Sequence, residues 1–454
     1  MSDELDQLRA AAPDAAVITD PDVMAAYSRD QTMVVTAGQP RCVVLASSTH
    51  HVTATLSWAQ EHRVPVVPRG AGTGLAGGAT AIDGCLVLST ARMTAIRELD
   101  PVNELAVVEA GVLTAELDRA AAGHGLMYAP DPSSSEISTI GGNLATNAGG
   151  LRCVKYGVTR DSVLGLEVVL ACGEVLRTGR RTVKGVTGYD LTGLFVGSEG
   201  TLGVITSATL RLRPRPDRYP RTVTASFASF AAAAGAVSAI LAARLRPSML
   251  ELMDAATLRA IDDWKNTGFG AVEALLIAQD DGDDADRGAA AMLEICRREG
   301  AQTAEMSASD DESRQLLELR GLAYPALERL GVTLVEDVCV PRSALPEMVG
   351  RIERAAQRYG VIIATVAHAG DGNLHPLFVF DRGLPDVPAD VWSAADEVFR
   401  EALELGGTLT GEHGVGIIKR RWLAAELGPA SMAVHRAIKK ALDPDGIMNP
   451  GKVL

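Results

Sequence analysis

Apolar positions recur with two different spacings along the first half of the chain. Between residues 48 and 63 they lie three to four residues apart, which predicts a helix capped by Ser47 or Ser48. A second helix is predicted from Thr114 to Gly123, where glycine ends it. Short apolar runs bounded by turn residues predict strands at 64–68, 85–89, 105–109, 164–170 and 204–212.

The segment 211–221, RLRPRPDRYPR, concentrates prolines and arginines and marks a domain boundary. The pattern then restarts, with strands predicted at 222–227, 248–253, 272–279, 332–340, 361–367 and 374–380, and helices at 229–244, 284–299, 310–330 and 388–405. This order predicts a second α+β domain built on an antiparallel sheet. We therefore expect a first domain at 1–213, completed by the tail 441–454, and a cap domain at 214–440.

Composition excludes several classes of protein. Of the 454 residues 47% are hydrophobic and 22% charged, which excludes disorder of the whole chain. The net charge of −14 argues against a nucleic-acid-binding protein. No apolar run is long enough to span a membrane and the start, MSDELDQLRA, lacks a secretory signal, so we expect a cytoplasmic protein. Six cysteines without a CxxC pair argue against iron–sulfur and zinc-finger sites.

Three glycine-rich segments indicate an extended ligand. PRGAGTGLAGG (68–78) follows a predicted strand, and its glycines let backbone N–H groups approach a phosphate. It contains a formal GxGxxG, but a turn and a strand follow instead of the long helix that a Rossmann site requires. The second segment, 138–157, is expected to be an extended surface loop, and the third is GSEGTLGVIT (197–206).

These segments, together with the ending DPDGIMNPGK, resemble the FAD-binding family typified by vanillyl-alcohol oxidase and p-cresol methylhydroxylase. The chain is most similar to the branch that contains the glycolate oxidase flavoprotein subunit and the D-lactate and D-2-hydroxyglutarate dehydrogenases. The resemblance implies a two-part, PCMH-type FAD-binding domain and a C-terminal cap domain, with an active site where they meet. Because 68–78 contains no histidine and Cys153 has no special context, we expect the FAD to be non-covalent.

The resemblance also implies which residues hold the flavin. Pro68 and the loop that follows it would wrap the pyrophosphate, the second segment would line the isoalloxazine and ribityl groups, and Asn449 would return to the flavin domain. The full implied set is Pro68, Arg69, Gly70, Ala71, Gly72, Thr73, Gly74, Pro132, Gly142, Thr146, Asn147, Gly149, Gly150, Gly203, Val204, Ile205 and Asn449.

A cluster of imidazoles and a carboxylate indicates chemistry in the second half. His368 and His375 flank a tight turn in VAHAGDGNLHP, and Glu412 precedes His413 in TGEHGVG. Two histidines and a carboxylate suit a divalent ion with open positions, although two unrelated polar turns fit the spacing equally well. The resemblance implies that His368, His375 and Glu412 bind a divalent metal, with zinc expected first and manganese or iron as alternatives.

The resemblance further implies roles in hydroxy-acid oxidation. His413 would act as the base, Asn373 would contact the substrate or its surroundings, and Arg320 would bind the substrate carboxylate. On the residues alone, Arg320 is more simply interpreted as a solvated helix arginine. Val335 and Glu336 stand where the hydroxyglutarate branch has a basic residue, and Tyr324 where a small hydroxyl residue would assist a second carboxylate.

The expected activity is therefore FAD-dependent oxidation of a small D-2-hydroxy acid, glycolate or D-lactate, to the 2-oxo acid. D-2-hydroxyglutarate dehydrogenase and an O₂-using flavin alcohol oxidase are the alternatives, and an inert flavin scaffold is the non-enzymatic one. The electrons would pass to an external acceptor: an iron–sulfur subunit, an electron-transfer flavoprotein, a quinone or a cytochrome. Association with a membrane through such a partner, and a homodimer, both stay open.

Overall fold

The computed structural model describes residues 2–217 and 219–454, so Met1 and Arg218 lie outside the described residues. The chain divides into two compact units. The first contains 1–149, 157–215 and 412–454, and the second contains 150–156 and 216–411. The division at 215/216 falls within the proline-rich segment 211–221. Residues 412–440, which the sequence pattern assigns to the cap, belong to the first unit.

The described residues form nineteen strands. In chain order they are β1 (Ala16–Ile18), β2 (Cys42–Leu45), β3 (Val66–Arg69), β4 (Leu86–Ser89), β5 (Ile96–Asp100), β6 (Leu105–Glu109), β7 (Leu126–Met127), β8 (Val163–Val169), β9 (Val175–Gly179), β10 (Val204–Arg211), β11 (Arg213–Pro214), β12 (Arg221–Phe227), β13 (Met249–Asp254), β14 (Ala274–Asp280), β15 (Thr303–Met306), β16 (Val332–Val335), β17 (Val338–Cys339), β18 (Ile362–His368) and β19 (Asn373–Phe380).

Helices connect and cover these strands. They are α1 (Ser2–Ala11), α2 (Pro21–Ala25), α3 (Thr49–Glu61), α4 (Thr114–Ala122), α5 (Ile140–Thr146), α6 (Cys153–Tyr156), α7 (Leu191–Phe195), α8 (Phe230–Ala242), α9 (Ala255–Lys265), α10 (Ala285–Arg298), α11 (Asp310–Gly321), α12 (Ala323–Glu328), α13 (Leu345–Tyr359), α14 (Ala389–Glu404) and α15 (Leu423–Leu442). Gly428 interrupts α15 with non-helical backbone angles. Among the described residues, no helix has the length and apolar character needed to cross a membrane.

The first unit holds two main sheets. The four-stranded sheet has the order β1-β2-β4-β3, with β2, β4 and β3 parallel and β1 antiparallel. Both faces of β2 are covered, since Val44 packs in one core cluster with Leu56 and Val43 packs in another with Val67. Because both faces of such a strand are covered, its sequence is continuously apolar and does not alternate with polar residues. The five-stranded sheet, β5-β6-β10-β8-β9, is antiparallel throughout.

The second unit is built on one antiparallel sheet of eight strands. Its order is β15-β12-β14-β13-β18-β19-β16, and β17 pairs with β19. Met249, Met253 and Ile277 on one face pack against Leu258 and Leu327 from the covering helices. The order brings β13, β18 and β19 side by side, so polar side chains on these strands can share one face. The predicted α+β fold with an antiparallel C-terminal sheet is confirmed.

Several sequence predictions differ from the structure in detail. The helix predicted at 310–330 is two helices, α11 and α12, and the strand predicted at 332–340 is the two short strands β16 and β17. The second glycine segment was predicted to be an extended loop, which is wrong in part because it contains α5. Ile140, Asn143 and Leu144 of this helix are buried, so tertiary packing outweighs the low helix propensity of Gly141 and Gly142.

Candidate active site

The first glycine segment leaves β3 and forms a tight loop. Gly72 has a φ of +77°, and a side chain there would collide with the Arg69 guanidinium. A Cβ on Gly70 would lie 2.2 Å from Thr139 Oγ1. A larger residue would require Thr139 or Arg69 to move, and the positive φ of Gly72 is itself unfavourable for residues other than glycine. Strand β4 follows, without an intervening helix, as the sequence predicts.

Residues 138–149 of the second segment and the whole third segment lie in the first unit, whereas 150–156 belong to the second. Thr139 caps α5 by accepting a hydrogen bond from Gly142 N, and Asn147 ends the helix in the left-handed conformation. Asn147 Oδ1 in turn accepts from Arg160 N at 2.8 Å. Pro132 lies in a turn before α5, Gly203 directly precedes β10, and Val204 and Ile205 begin β10. Gly150 belongs to the second unit, whereas the other implied flavin residues belong to the first.

Asn449 ties these segments together. Its Nδ2 donates to Gly78 O at 2.9 Å and to Glu199 O at 2.7 Å, and the side chain is 1% exposed. Its backbone N–H donates to Val66 O on β3. The tail therefore joins the end of the glycine loop to the GSEG turn within the first unit.

Glu199 is a residue that the sequence reasoning missed. It is buried, has a φ of +49°, and accepts hydrogen bonds from Val415 N at 2.7 Å and Gly416 N at 2.9 Å. Burial raises the pKa of its carboxyl to about 7. These bonds fix the backbone just after His413. The only sequence signal was its place in the GSEG motif.

Glu412 and His413 begin the last segment of the first unit. Their side chains are largely buried, and His413 Nε2 lies 4.0 Å from Glu412 Oε1. Glu412 packs directly on Gly149, since a Cβ there would lie 2.3 Å from Glu412 Oε2. Gly149 is thus small because the Glu412 carboxylate occupies the space a side chain would need.

In the second unit, the β18–β19 hairpin brings the two predicted histidines together. His375 pairs with Val366, and Val366 and His368 are two residues apart on one strand, so all three side chains share a face. The imidazole centroids are 5.0 Å apart in an edge-to-face arrangement. Both histidines are buried, with His368 4% and His375 5% exposed. The turn between them is tight, with Gly372 at a φ of +79°.

The neighbouring strand β13 places a carboxylate beside His368. Glu251 pairs with His368 in the sheet, and its Oε1 lies 2.8 Å from His368 Nδ1. Its other oxygen, Oε2, accepts from Arg320 Nε at 2.9 Å. Arg320 is 8% exposed, so its interpretation as a solvated helix residue is wrong. Glu251 was missed because sequence spacing does not reveal which strands pair.

Two further groups surround His375. Asp337 is buried, its Oδ1 lies 3.8 Å from His375 Nδ1, and its Oδ2 accepts from Thr410 Oγ1 at 2.6 Å. Asn373 is 5% exposed, and its Oδ1 makes no hydrogen bond to any residue that the structure describes. Glu336, the neighbour of Asp337 in sequence, is fully buried. Tyr324 is also largely removed from solvent, and this burial raises the pKa of its hydroxyl to about 12.

Comparisons with known proteins define the class. Residues 40–179 match the FAD binding domain family, and residues 217–453 match the family described as FAD linked oxidases, C-terminal domain. The chain belongs to these FAD-linked oxidoreductases, which confirms the resemblance predicted from the glycine segments.

Individual relatives cover nearly the whole chain. It is 44% identical over 431 residues to the glycolate oxidase subunit GlcD of Bacillus subtilis, covering 94% of this chain and 91% of that protein. It is 37% identical over 444 residues to a D-lactate dehydrogenase of Archaeoglobus fulgidus, covering 94% and 95%. The structure is similar to substrate-bound p-cresol methylhydroxylase with a TM-score of 0.79 over 100% of this chain and 96% of that one, at 20% identity, which supports the fold.

Proposed function

We propose that this protein oxidises a small D-2-hydroxy acid, with glycolate or D-lactate as the expected substrate, to the corresponding 2-oxo acid. The juxtaposition of His368, His375 and Glu251 with a buried Arg320 carries the proposal, because a hydroxy acid offers both a hydroxyl oxygen and a carboxylate to bind. The names of the relatives, glycolate oxidase subunit and D-lactate dehydrogenase, support the same substrate class.

The glycine segments of the first unit fit a bound FAD. A side chain at Gly70 would collide with Thr139 and one at Gly72 with Arg69, so this loop packs closely at both positions. The backbone N–H groups of such a glycine-rich loop can approach a pyrophosphate. Bound FAD supplies an acceptor for the hydride that leaves C2 of the substrate. No histidine lies in 68–78, and we propose a non-covalent flavin.

His413 is proposed as the group that takes the hydroxyl proton. An imidazole titrates near neutrality, so one of its ring nitrogens can accept a proton at physiological pH. His413 Nε2 lies 4.0 Å from Glu412 Oε1, so the proposed base adjoins a proposed metal ligand. Glu199 fixes the adjacent backbone, which limits how far His413 can move.

Arg320 is proposed to bind the substrate carboxylate. Glu251 engages only Nε, and within the described part of the chain no hydrogen bond is found for Nη1 or Nη2. A guanidinium held through Nε presents its Nη groups in a fixed plane, which suits a carboxylate. Asn373, with its buried amide, is proposed as a further substrate contact.

Two imidazoles and one carboxylate are donors that suit a divalent cation, and we propose that His368, His375 and Glu412 hold one, with zinc preferred over manganese or iron. His368 and His375 lie together in the β18–β19 hairpin, with their ring centroids 5.0 Å apart. A bound cation lowers the pKa of a coordinated hydroxyl, which complements a nearby base.

A monocarboxylate is favoured over 2-hydroxyglutarate. The segment between β16 and β17 carries the buried acids Glu336 and Asp337, and a second substrate carboxylate there would meet negative charge unless a cation intervened. We propose that the electrons then leave to an external acceptor, such as an iron–sulfur subunit, an electron-transfer flavoprotein, a quinone or a cytochrome.

An anaerobic panel of D- and L-hydroxy acids, followed by the flavin absorption band, tests the proposal. We expect glycolate or D-lactate to bleach the flavin without added partners, and D-2-hydroxyglutarate to act poorly. Absence of bleaching with every acid would contradict the activity and favour an inert scaffold. Rapid release of hydrogen peroxide in air would favour an oxidase instead.

Exhaustive chelation tests the metal separately. We expect the treated protein to stay yellow and lose flavin reduction, and added Zn²⁺, Mn²⁺ or Fe²⁺ to restore it. Undiminished reduction after the metal content has been shown to be negligible would remove His368, His375 and Glu412 from the mechanism.

A further inference from the structure

Glu251 connects two residues that the proposed function assigns to different tasks. Its carboxylate is 1% exposed and uses one oxygen for His368 Nδ1, at 2.8 Å, and the other for Arg320 Nε, at 2.9 Å. The three residues come from β13, β18 and the end of α11, so the contact links two strands and a helix. A single side chain thus touches both a proposed metal ligand and the proposed carboxylate-binding cation.

The charges of this trio explain why an acid is tolerated there. A buried carboxylate is costly unless it is paired and hydrogen-bonded, and Arg320 supplies the opposite charge. Because Arg320 balances the charge of Glu251, the pair does not require a positive charge on His368. A neutral imidazole is the form that binds a metal ion.

The geometry also fixes which ring nitrogen of His368 carries hydrogen. A carboxylate carries no hydrogen and can only accept, so Nδ1 must donate and must carry the hydrogen. In the neutral ring this leaves the lone pair on Nε2. Metal-binding histidines in proteins are typically oriented by a carboxylate in this way.

We propose that Glu251 is a positioning residue that holds His368 in the Nε2-binding tautomer and, through the same carboxylate, fixes the plane of Arg320. This inference rests on the proposed function, because it needs a cation at His368 and a carboxylate at Arg320. It extends that function by making metal binding and substrate binding depend on one side chain.

Glu251→Gln separates this role from simple packing, because glutamine has nearly the same shape. Its amide oxygen can still accept from Arg320 Nε, but its NH₂ then faces His368 Nδ1 and requires that nitrogen to accept. Hydrogen would move to Nε2, which could no longer bind a metal ion. We expect Zn²⁺ affinity to fall roughly 10- to 100-fold.

Glu397→Gln is the matched control. Glu397 is also a buried acid of the second unit, 4% exposed, and pairs with Arg358 at 2.8 Å. Zn²⁺ affinity is measured on the flavin-containing proteins by competition with a chromophoric chelator, and FAD absorbance is recorded on the same samples. We expect the control to keep wild-type affinity and both variants to keep FAD.

The outcomes are distinguishable. Wild-type affinity in Glu251→Gln would overturn the role of Glu251 while leaving the metal site intact. A wild-type protein that binds no Zn²⁺, Mn²⁺ or Fe²⁺ would overturn the proposed metal site and this inference with it. An equal loss of affinity in Glu397→Gln would show a general effect of losing a buried ion pair, and would also overturn it.

A second measurement needs no stable variant at position 251. In the chelated wild-type protein, ¹⁵N imidazole shifts of His368, assigned with His368→Gln, should show hydrogen on Nδ1. Hydrogen on Nε2 would overturn the proposal even if Glu251→Gln failed to fold. Substrate kinetics add a third readout, since a loosened Arg320 should raise KM in Glu251→Gln but not in Glu397→Gln.

Discussion

The Glu199 carboxylate accepts a hydrogen bond from the backbone N–H of Val415, 216 residues later in the sequence, at 2.7 Å. Its second oxygen accepts from Gly416 N. A turn within one of the glycine segments therefore determines the path of the chain next to His413. The position of the proposed base depends on a residue that contributes no chemistry of its own.

The raised pKa of Glu199 makes stability depend on pH. Its folded-state pKa of about 7 lies above the ordinary value of 4.5, so the folded protein holds this proton more tightly than the unfolded chain. The contribution is fully present below pH 4.5 and is lost as pH rises through about 7. We expect the loss to reach about 3 kcal/mol.

Glu199→Gln has no proton to lose at this position. Urea denaturation of both proteins between pH 5 and 8.5 should show the stability of the wild type relative to Glu199→Gln falling across this range. Parallel curves for the two proteins would show that Glu199 does not titrate as proposed.

Replacing Asn449 should weaken the first unit. Asn449→Ala leaves the carbonyls of Gly78 and Glu199 without their donor, which costs about 1–3 kcal/mol. Asn449→Asp keeps the shape but sets a negative charge against both carbonyls, so we expect a larger loss. Thermal unfolding and the FAD retained after gel filtration measure the effect. If Asn449→Asp had the unfolding temperature and FAD content of the wild type, the tail would be held by its backbone hydrogen bond alone.

Gly149→Ala should displace the Glu412 carboxylate. The added Cβ would lie 2.3 Å from Oε2, and the far end of a glutamate can move without disturbing the fold. We expect reduced metal content and at least a tenfold loss of activity, with little change in unfolding temperature. The resemblance also assigns Gly149 to the flavin, so FAD is measured on the same sample. Loss of FAD with metal retained would assign Gly149 to the flavin alone.

Gly235→Ala is the control for this substitution. Gly235 lies within α8 with no heavy atom within 4 Å of an added Cβ. Alanine there should stabilise the helix by about 0.5–1 kcal/mol and leave metal and flavin unchanged.

His413→Ala should leave a yellow protein that reduces its flavin slowly. Loss of a general base typically costs about 10²- to 10⁴-fold in rate. Stopped-flow mixing with glycolate or D-lactate under anaerobic conditions measures the step directly. His435→Ala, at an exposed histidine of α15, should behave as the wild type. Near-normal flavin reduction in His413→Ala would show that another group takes the proton.

Local patterns predicted much of the fold. The helix α3 begins after Ser48, whose side chain caps it, and α4 ends before Gly123, as their spacing and caps indicate. The hairpin that joins His368 and His375 also follows from sequence, since two polar residues seven apart flank a glycine-containing turn. Information carried by a few neighbouring residues was sufficient in each case.

Contacts between residues that are distant in the sequence could not be predicted. Glu251 has an ordinary place in the strand MLELMD, and its meaning appears only when β13 pairs with β18. Glu199 likewise gains its role from Val415. The helix α5 was missed because glycines disfavour helices locally, whereas burial of Ile140 and Leu144 stabilises this one. Sheet register and burial are properties of the whole chain, so short motifs do not encode them.

The tail bears on the order of biosynthesis. Met448 forms a bridge with Val66, and Asn449 closes the glycine loop, yet both are translated after all of 216–411. The second unit is nearly contiguous in sequence and can acquire its sheet while synthesis continues. The first unit must wait for its final strand-like segment, so a nascent chain would expose the unfinished nucleotide cradle, and flavin capture becomes a late event in maturation.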